Sequence, residues 1–277
     1  MQTYTLNGTW QLSAGHRSLE SVDMQIPGTV LSGLLAAGKI KDPFYRTNED
    51  ATRALFWKDY VFTRTFDVDE ELLAQQHIVL VCEGLDTLAE ISINGTFLAK
   101  TDNMHRTWKF QAKKLLHPGK NEIQIVFRSV LRFIEDYPYE AHKKINYIPC
   151  GSMKGNQLLR KAHSMFGWDW GAQLPDIGIW RDLYLECYNA GRIEDVVIRQ
   201  KHTWKERPQM GELSQEEYIE AVEQSDTVSL SVEVKPEQDT NLENTKVIVT
   251  LTDPKGVQLE QVVLLTIKEA VCAEILV

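Results

Sequence analysis

Hydrophobic and polar positions along most of the chain follow the pattern of β-strands. Apolar and polar residues alternate over 88–93 and 122–127, and residues 77–82 form a nearly continuous apolar run. Short runs of this kind, separated by turn residues and by no long helix, predict an antiparallel β-sandwich. Asn94-Gly95 follows the first alternating run and predicts a hairpin, because both central positions of a type I′ turn need a positive φ.

Two short helices are predicted within this β pattern. Residues 29–37 form one, capped at Thr29 and ended by Gly38, and residues 129–135 form the other. Residues 140–178 show little periodicity and are rich in Gly, Pro and Trp. A loop of that length inside a compact domain is usually functional or disordered, and the tryptophans argue against disorder.

The same pattern divides the chain into two predicted domains. A strand over 179–187 closes a first sandwich, residues 1–190, and a strand over 193–200 leads into the second domain, residues 191–277. Further β runs in the second domain predict an immunoglobulin-like sandwich, and the acidic segment 201–226 is interpreted as a surface insertion. Because the chain stops on an apolar strand, we expect this sandwich to be truncated.

Charge and composition exclude several classes of protein. The 277 residues carry a net charge of −9 and contain no basic block, so nucleic-acid binding is not expected. No apolar run approaches the roughly 18 residues of a membrane span, and the first residues do not resemble a secretory signal. The four cysteines form no C-x-x-C pair and have no histidines at zinc spacing, so we expect free thiols, no metal, no cofactor and a cytoplasmic location.

The candidate chemistry lies in the irregular segment. Trp168 and Trp170 flank Asp169, glycines stand on both sides, and Arg160 lies upstream. Aromatic faces pack on the C–H face of a pyranose, and a carboxylate accepts hydrogen bonds from vicinal hydroxyls. The four residues are therefore predicted to bind a sugar. The alternative is that the tryptophans belong to the core and that Asp169 pairs with Arg160 or caps the loop.

Other candidates are weaker. Glu49 and Asp50 offer carboxylates, but nothing pairs them for general acid–base chemistry, so both are interpreted as solvated surface. His163 next to Ser164 does not form a triad signature. No catalytic residue is predicted in this chain.

Several motifs together carry a family resemblance. The chain resembles the start of proteins in the β-mannosidase branch of glycoside hydrolase family 2, and the run Phe166-Gly-Trp-Asp-Trp-Gly is the part most specific to that branch. Ala172 departs from the family pattern, which often has proline there. The segments that carry the likeness, which covers about residues 1–200, include 6–10, 26–30, 38–44, 48–49, 82–87, 105–108, 160–161, 166–171 and 178–180.

The resemblance implies a layout and a function. A jelly-roll, galactose-binding-like sandwich is followed by immunoglobulin-like domains and then by a (β/α)₈ barrel, on which two Glu residues catalyse retaining hydrolysis. The chain would then be the N-terminal region of an enzyme that removes terminal non-reducing β-D-mannose from a β-mannoside oligosaccharide. Its partner would be the missing barrel of the same chain, and the fragment alone would be inactive. The alternatives are a non-catalytic carbohydrate-binding module and a β-galactosidase or β-glucuronidase of the same family.

Overall fold

The computed structural model shows a chain built mainly of antiparallel strands, which confirms the predicted all-β class. Its contacts divide into two compact units, Met1–Asn189 and Ala190–Val277. The predicted domain limits and the immunoglobulin-like character of the second unit stay predictions. The structure describes residues 2–15, 20–138, 151–168, 171–189, 191–204, 209, 211, 214–223, 227–237, 246–265 and 271–276.

The first unit contains a six-stranded sheet, a four-stranded sheet and a small three-stranded sheet. Their orders are β3-β2-β5-β11-β8-β9, β1-β13-β6-β10 and β4-β12-β7, and every pairing is antiparallel. The strands are β1 (Gln2–Thr5), β2 (Gly8–Ala14), β3 (Val22–Ile26), β4 (Gly28–Thr29), β5 (Tyr60–Val68), β6 (His77–Cys82), β7 (Leu85–Asp86), β8 (Ala89–Ile93), β9 (Thr96–Thr101), β10 (Trp108–Gln111), β11 (Gly119–Phe127), β12 (Gly178–Ile179) and β13 (Leu183–Tyr188).

One hydrophobic core joins residues of both large sheets. In β8 buried and half-buried positions alternate, as the sequence pattern predicts for a strand with one face on the core. The run in β6 is buried at every position after His77, because one face of the strand lies on the core and Val79 and Val81 on the other face belong to a second, smaller buried cluster. Phe62 and Phe127 pack edge to face in the core with ring centroids 5.0 Å apart, a favourable aromatic geometry.

Short helices lie between these strands in the chain, and both predicted helices are confirmed. Thr29 caps α1 in a capping box: its hydroxyl accepts from the Ser32 amide at 3.3 Å, and the Ser32 hydroxyl accepts from the Thr29 amide at 2.8 Å. Ser129 caps α4, which lies where the second helix is predicted. The helices of this unit are α1 (Val30–Ala36), α2 (Asn48–Arg53), α3 (Glu70–Ala74) and α4 (Val130–Glu135).

Two local predictions have different outcomes. The Asn94-Gly95 hairpin is confirmed, with φ of 50° and 75° at the two turn residues. The single strand predicted over 179–187 is wrong, because the chain leaves the small sheet after Ile179 and enters the four-stranded sheet at Leu183. Alternation alone does not show that one apolar run serves two different sheets.

The second unit has a three-stranded sheet of order β14-β15-β18 and a hairpin of β16 and β17, both antiparallel. Part of the acidic segment forms helix α5, whose cap residue Ser214 exchanges hydrogen bonds with Glu217. The elements are β14 (Ile193–Thr203), α5 (Gln215–Glu223), β15 (Thr227–Pro236), β16 (Lys246–Thr252), β17 (Gln258–Leu265) and β18 (Val271–Leu276).

Candidate functional site

The structure places two of the four predicted sugar-binding residues. Trp168 lies at the surface with 44% of its area exposed, which disagrees with the alternative that it is a core residue. The backbone of Arg160 forms an isolated β-bridge with Asn103 and accepts a hydrogen bond from the Met104 amide at 2.9 Å. The Arg160 side chain is exposed. Asp169 and Trp170 lie outside the described residues, so their roles stay predictions.

The loop that carries Trp168 is closed at its base. Phe166 and Gln173 pair across it as an antiparallel bridge, and the Phe166 side chain is fully buried. Gly167 has a φ of +80°, and a Cβ placed on it would lie 2.5 Å from Cγ of Gln173 and 3.1 Å from the carbonyl oxygen of Gly171. Only glycine fits this close approach of the two loop ends. The base of the loop is therefore tightly packed.

Helix α2 holds this base from outside the loop. The backbone amide of Gln173 donates to Oε1 of Glu49 at 2.8 Å, and Nη2 of Arg53 donates to the same oxygen at 3.1 Å. The interpretation of Glu49 as solvated surface is wrong, since only 29% of its side chain is exposed, whereas Asp50 is 74% exposed as expected. The spacing of Glu49 and Arg53 signals a helical ion pair, but nothing local in the sequence reveals the contact with Gln173, 124 residues away.

A buried charge cluster ties the other flank of the loop to the sandwich. Nζ of Lys161 donates to Oδ2 of Asp86 at 2.5 Å and to the carbonyl oxygen of Asp176. Burial lowers the pKa of Lys161, and the attraction of Asp86 opposes this shift. Burial raises the pKa of Asp176 to about 6, against hydrogen bonds from Thr29, Ile177 and Leu31 to its carboxylate.

An apolar cavity of about 480 Å³ lies beside the loop. Helix α1 contributes Leu31 and Leu35, the segment before α2 contributes Phe44, and the two flanks of the loop contribute Met165 and Leu174. Phe44 is 76% exposed at its rim. The Trp168 loop is thus bordered by apolar surface.

Comparison with known sequences decides the family. A sequence model described as "Glycosyl hydrolase 2 galactose-binding domain-like" matches residues 10–181. The chain belongs to this family. The match confirms both the resemblance to glycoside hydrolase family 2 and the galactose-binding-like character of the first unit.

Named relatives agree with this assignment. A β-mannosidase of Mus musculus is 32% identical over 197 residues, covering 69% of this chain and 22% of the relative. A β-mannosidase B of Aspergillus clavatus is 28% identical over 200 residues, covering 71% of this chain and 23% of the relative. The chain therefore spans less than a quarter of the length of these curated relatives.

Solved structures give the same picture. A β-D-mannosidase from Dictyoglomus thermophilum matches with a TM-score of 0.77 and 27% identity, over 100% of this chain and 31% of that one. A β-glucuronidase from Bifidobacterium dentium has a TM-score of 0.61 at 16% identity, over 100% of this chain and 42% of that one. At this lower identity the likeness shows the shared fold alone.

Two features are absent from the described part of the chain. No helix there has both the length and the apolar character needed to cross a bilayer. Among the same residues, no group of three or more His, Cys, Asp or Glu side chains is arranged to hold a metal ion.

Proposed function

We propose that this chain is the N-terminal region of a β-mannosidase, a retaining exo-glycosidase that removes terminal β-D-mannose from the non-reducing ends of oligosaccharides. In this proposal the two catalytic Glu residues lie on a barrel outside the chain, and the barrel is its partner. The chain contributes side chains to the sugar pocket. The observation that carries the proposal is the exposure of Trp168 on a loop with a fixed base.

Each predicted residue has a separate role in this pocket. The face of Trp168 supplies an apolar platform for the C–H side of a pyranose, and Trp170 extends the pocket wall. Asp169 accepts hydrogen bonds from sugar hydroxyls, and Arg160 orients or neutralises its carboxylate. A loop with a fixed base binds with a smaller loss of conformational entropy than one that must order on binding. This preorganisation supports a role in substrate binding.

The test is hydrolysis by the full-length polypeptide. We expect an aryl β-D-mannoside to be cleaved with a kcat/KM at least about 10²-fold above those of the matching β-galactoside and β-glucuronide. A ratio of this size corresponds to the loss of one hydrogen bond to a charged group. The first product observed by NMR should be β-mannose, as retention requires. Preference for a galactoside or glucuronide would overturn the substrate assignment.

Measurements on the isolated chain distinguish the enzyme hypothesis from the carbohydrate-binding module. Because both catalytic carboxylates are absent in this proposal, we expect no turnover of the aryl mannoside by the purified 277 residues. Millimolar or tighter binding of a sugar by the isolated chain, together with an inactive full-length protein, would favour the binding module.

A cytoplasmic location is part of the proposal. Cys82 and Cys187 are free thiols and almost completely buried. Burial raises the pKa of both thiols, which keeps them protonated and unreactive. Free buried thiols are typical of proteins in a reducing compartment. Cell fractionation checks this, and recovery of the protein from an oxidising compartment would contradict it.

A further inference from the structure

We infer that Glu49 is a positioning residue for the sugar-binding loop, acting through the backbone of Gln173. This inference rests on the proposed function, because it assigns to Glu49 the task of placing Trp168 for the sugar. Glu49 itself lies on α2, outside the loop, and is not proposed to touch the substrate.

The contact between Gln173 and Glu49 is a strong one. The backbone amide of Gln173 donates to Oε1 of Glu49 at 2.8 Å, and the Glu49 side chain is only 29% exposed. A hydrogen bond to an ionised carboxylate is roughly twice as strong as one between neutral groups, and partial burial reduces its screening by water. Glu49 is therefore a firm attachment point for the chain at Gln173.

Glu49 is itself held in place. Arg53, one helical turn later, donates to the same Oε1 at 3.1 Å. Thr52 on the same helix is buried against the first unit, and its hydroxyl donates to the Asn48 carbonyl within the helix at 2.8 Å. The turn that follows α2 ends in the core at Phe56, which is fully buried. The carboxylate thus connects the loop to a rigid part of the first unit.

Movement at Gln173 is transmitted to the loop. Gln173 pairs with Phe166 across the loop base, and its side chain occupies the space that a Cβ on Gly167 would need. Trp168 directly follows Gly167, so a displacement of Gln173 moves the backbone that leads into the tryptophan. Displacements of about 1 Å at a binding site cost up to about 10²-fold in rate.

Three variants of the full-length enzyme test this. Glu49→Ala removes the acceptor, and Glu49→Gln keeps an acceptor oxygen without the charge. Asp50→Asn is the matched control, because it neutralises the adjacent carboxylate on the same helix, which also pairs with Arg53 but is 74% exposed. The readouts are kcat and KM for the aryl mannoside, the melting temperature, and amide hydrogen exchange of peptides covering residues 166–175.

We expect Glu49→Ala to lower kcat/KM by about 10-fold or more, mainly through KM, because a displaced pocket wall weakens substrate binding. Glu49→Gln should recover most of that loss, and Asp50→Asn should stay within twofold of wild type. Exchange at 166–175 should rise in Glu49→Ala only, with a melting temperature within about 5 °C of wild type.

Two results would overturn the inference. One is a Glu49→Ala enzyme with KM and loop exchange equal to those of Asp50→Asn. The other is a loss confined to kcat that matches a loss of folded protein, which indicates a merely structural role.

Failure of the proposed function appears separately in the wild-type protein, as preference for another aryl glycoside or as no hydrolysis. Kinetics are then measured on the preferred glycoside, and loop exchange decides the inference if none is cleaved.

Discussion

Lys161 and Asp86 form an ion pair that is enclosed on all sides by the first unit. Nζ and Oδ2 are 2.5 Å apart, and the side chains are 0% and 1% exposed. A buried charge is tolerated only when it is paired and hydrogen-bonded, because its desolvation costs several kcal/mol. The pair therefore fixes the start of the segment that carries Trp168 to strand β7.

Removing one partner of this pair should be strongly destabilising. In Lys161→Met the carboxylate of Asp86 stays buried without its cation, so we expect the free energy of unfolding to fall by about 3–5 kcal/mol. Urea denaturation followed by tryptophan fluorescence measures the change. The control is Lys100→Met, which breaks the 2.8 Å pair with Glu90 at a lysine that is 68% exposed and should cost less than about 1 kcal/mol. Equal losses in the two variants would contradict this prediction.

The buried carboxylate of Asp176 should make stability depend on pH. Its pKa is about 6 in the folded chain against an ordinary value of 3.8, with burial as the main cause. Between these values the folded state binds more protons than the unfolded state. The contribution of this group to stability is therefore greatest below pH 4 and falls as the pH rises through 6. The shift corresponds to about 3 kcal/mol at most.

Asp176→Asn tests this sign, because the amide oxygen can still accept from the backbone of Leu31 and Ile177. We expect the variant to lose less stability than wild type between pH 4 and 6, as measured by urea unfolding at several pH values. Asp50→Asn removes an exposed carboxylate and serves as the reference. If the Asp176→Asn curve runs parallel to that of wild type through this interval, Asp176 does not have a raised pKa.

Local signals made part of this structure predictable. Thr29 and Ser129 cap helices through hydrogen bonds from amides three residues later. Asn94-Gly95 turns a hairpin through the positive φ angles of these two residues. Such features depend on nearby sequence alone. The sugar-binding residues are predicted in the same way, from aromatic, acidic and glycine residues close together, and their role stays a prediction.

Features that depend on distant contacts were missed. The sequence does not predict the burial of Lys161, since lysine is almost never fully buried unless it is paired, and its partner Asp86 lies 75 residues away. The interpretation of Glu49 as surface is wrong because its contact with Gln173 spans 124 residues. Charge and spacing in one sequence do not reveal which tertiary partner makes burial favourable.

The proposed role of Asp169 predicts a large kinetic effect in the full-length enzyme. Asp169→Ala should lower kcat/KM for an aryl β-mannoside by about 10²-fold or more, equivalent to about 3 kcal/mol, because hydrogen bonds from sugar hydroxyls to a carboxylate are lost. Steady-state kinetics measures this, and the melting temperature checks that the variant is folded. An unchanged kcat/KM would return Asp169 to a structural role.

Trp168 should matter more for binding than for folding. Its side chain is 44% exposed, so Trp168→Ala should lower the free energy of unfolding by about 1–2 kcal/mol, against about 3–5 kcal/mol for a fully buried tryptophan. Loss of the apolar platform should raise KM by about 10-fold, since stacking on a ring is worth about 1 kcal/mol or more. Trp168→Phe keeps an aromatic face and should recover part of the affinity. A large loss of stability in Trp168→Ala would instead make it a packing residue.

Gly167 should be needed for the shape of the loop. An alanine there meets two obstacles: a φ of +80°, and a Cβ only 2.5 Å from Gln173 and 3.1 Å from the Gly171 carbonyl. Gly38 offers a matched control, because its φ is +65° and nothing lies within 4 Å of a Cβ placed on it. Each alanine bears a similar backbone cost of about 1 kcal/mol, so the difference between the two isolates the collision at the loop base.

In the full-length enzyme, Gly167→Ala should therefore lower kcat/KM for the mannoside by about 10-fold or more, because Gln173 must move and the tryptophan loop moves with it. Gly38→Ala should lower the melting temperature by a few degrees and leave kcat/KM near that of wild type. Kinetics at a temperature where both variants are folded separates the two effects. If both alanines reduce kcat/KM equally, the close packing of Gly167 against Gln173 has no bearing on sugar binding.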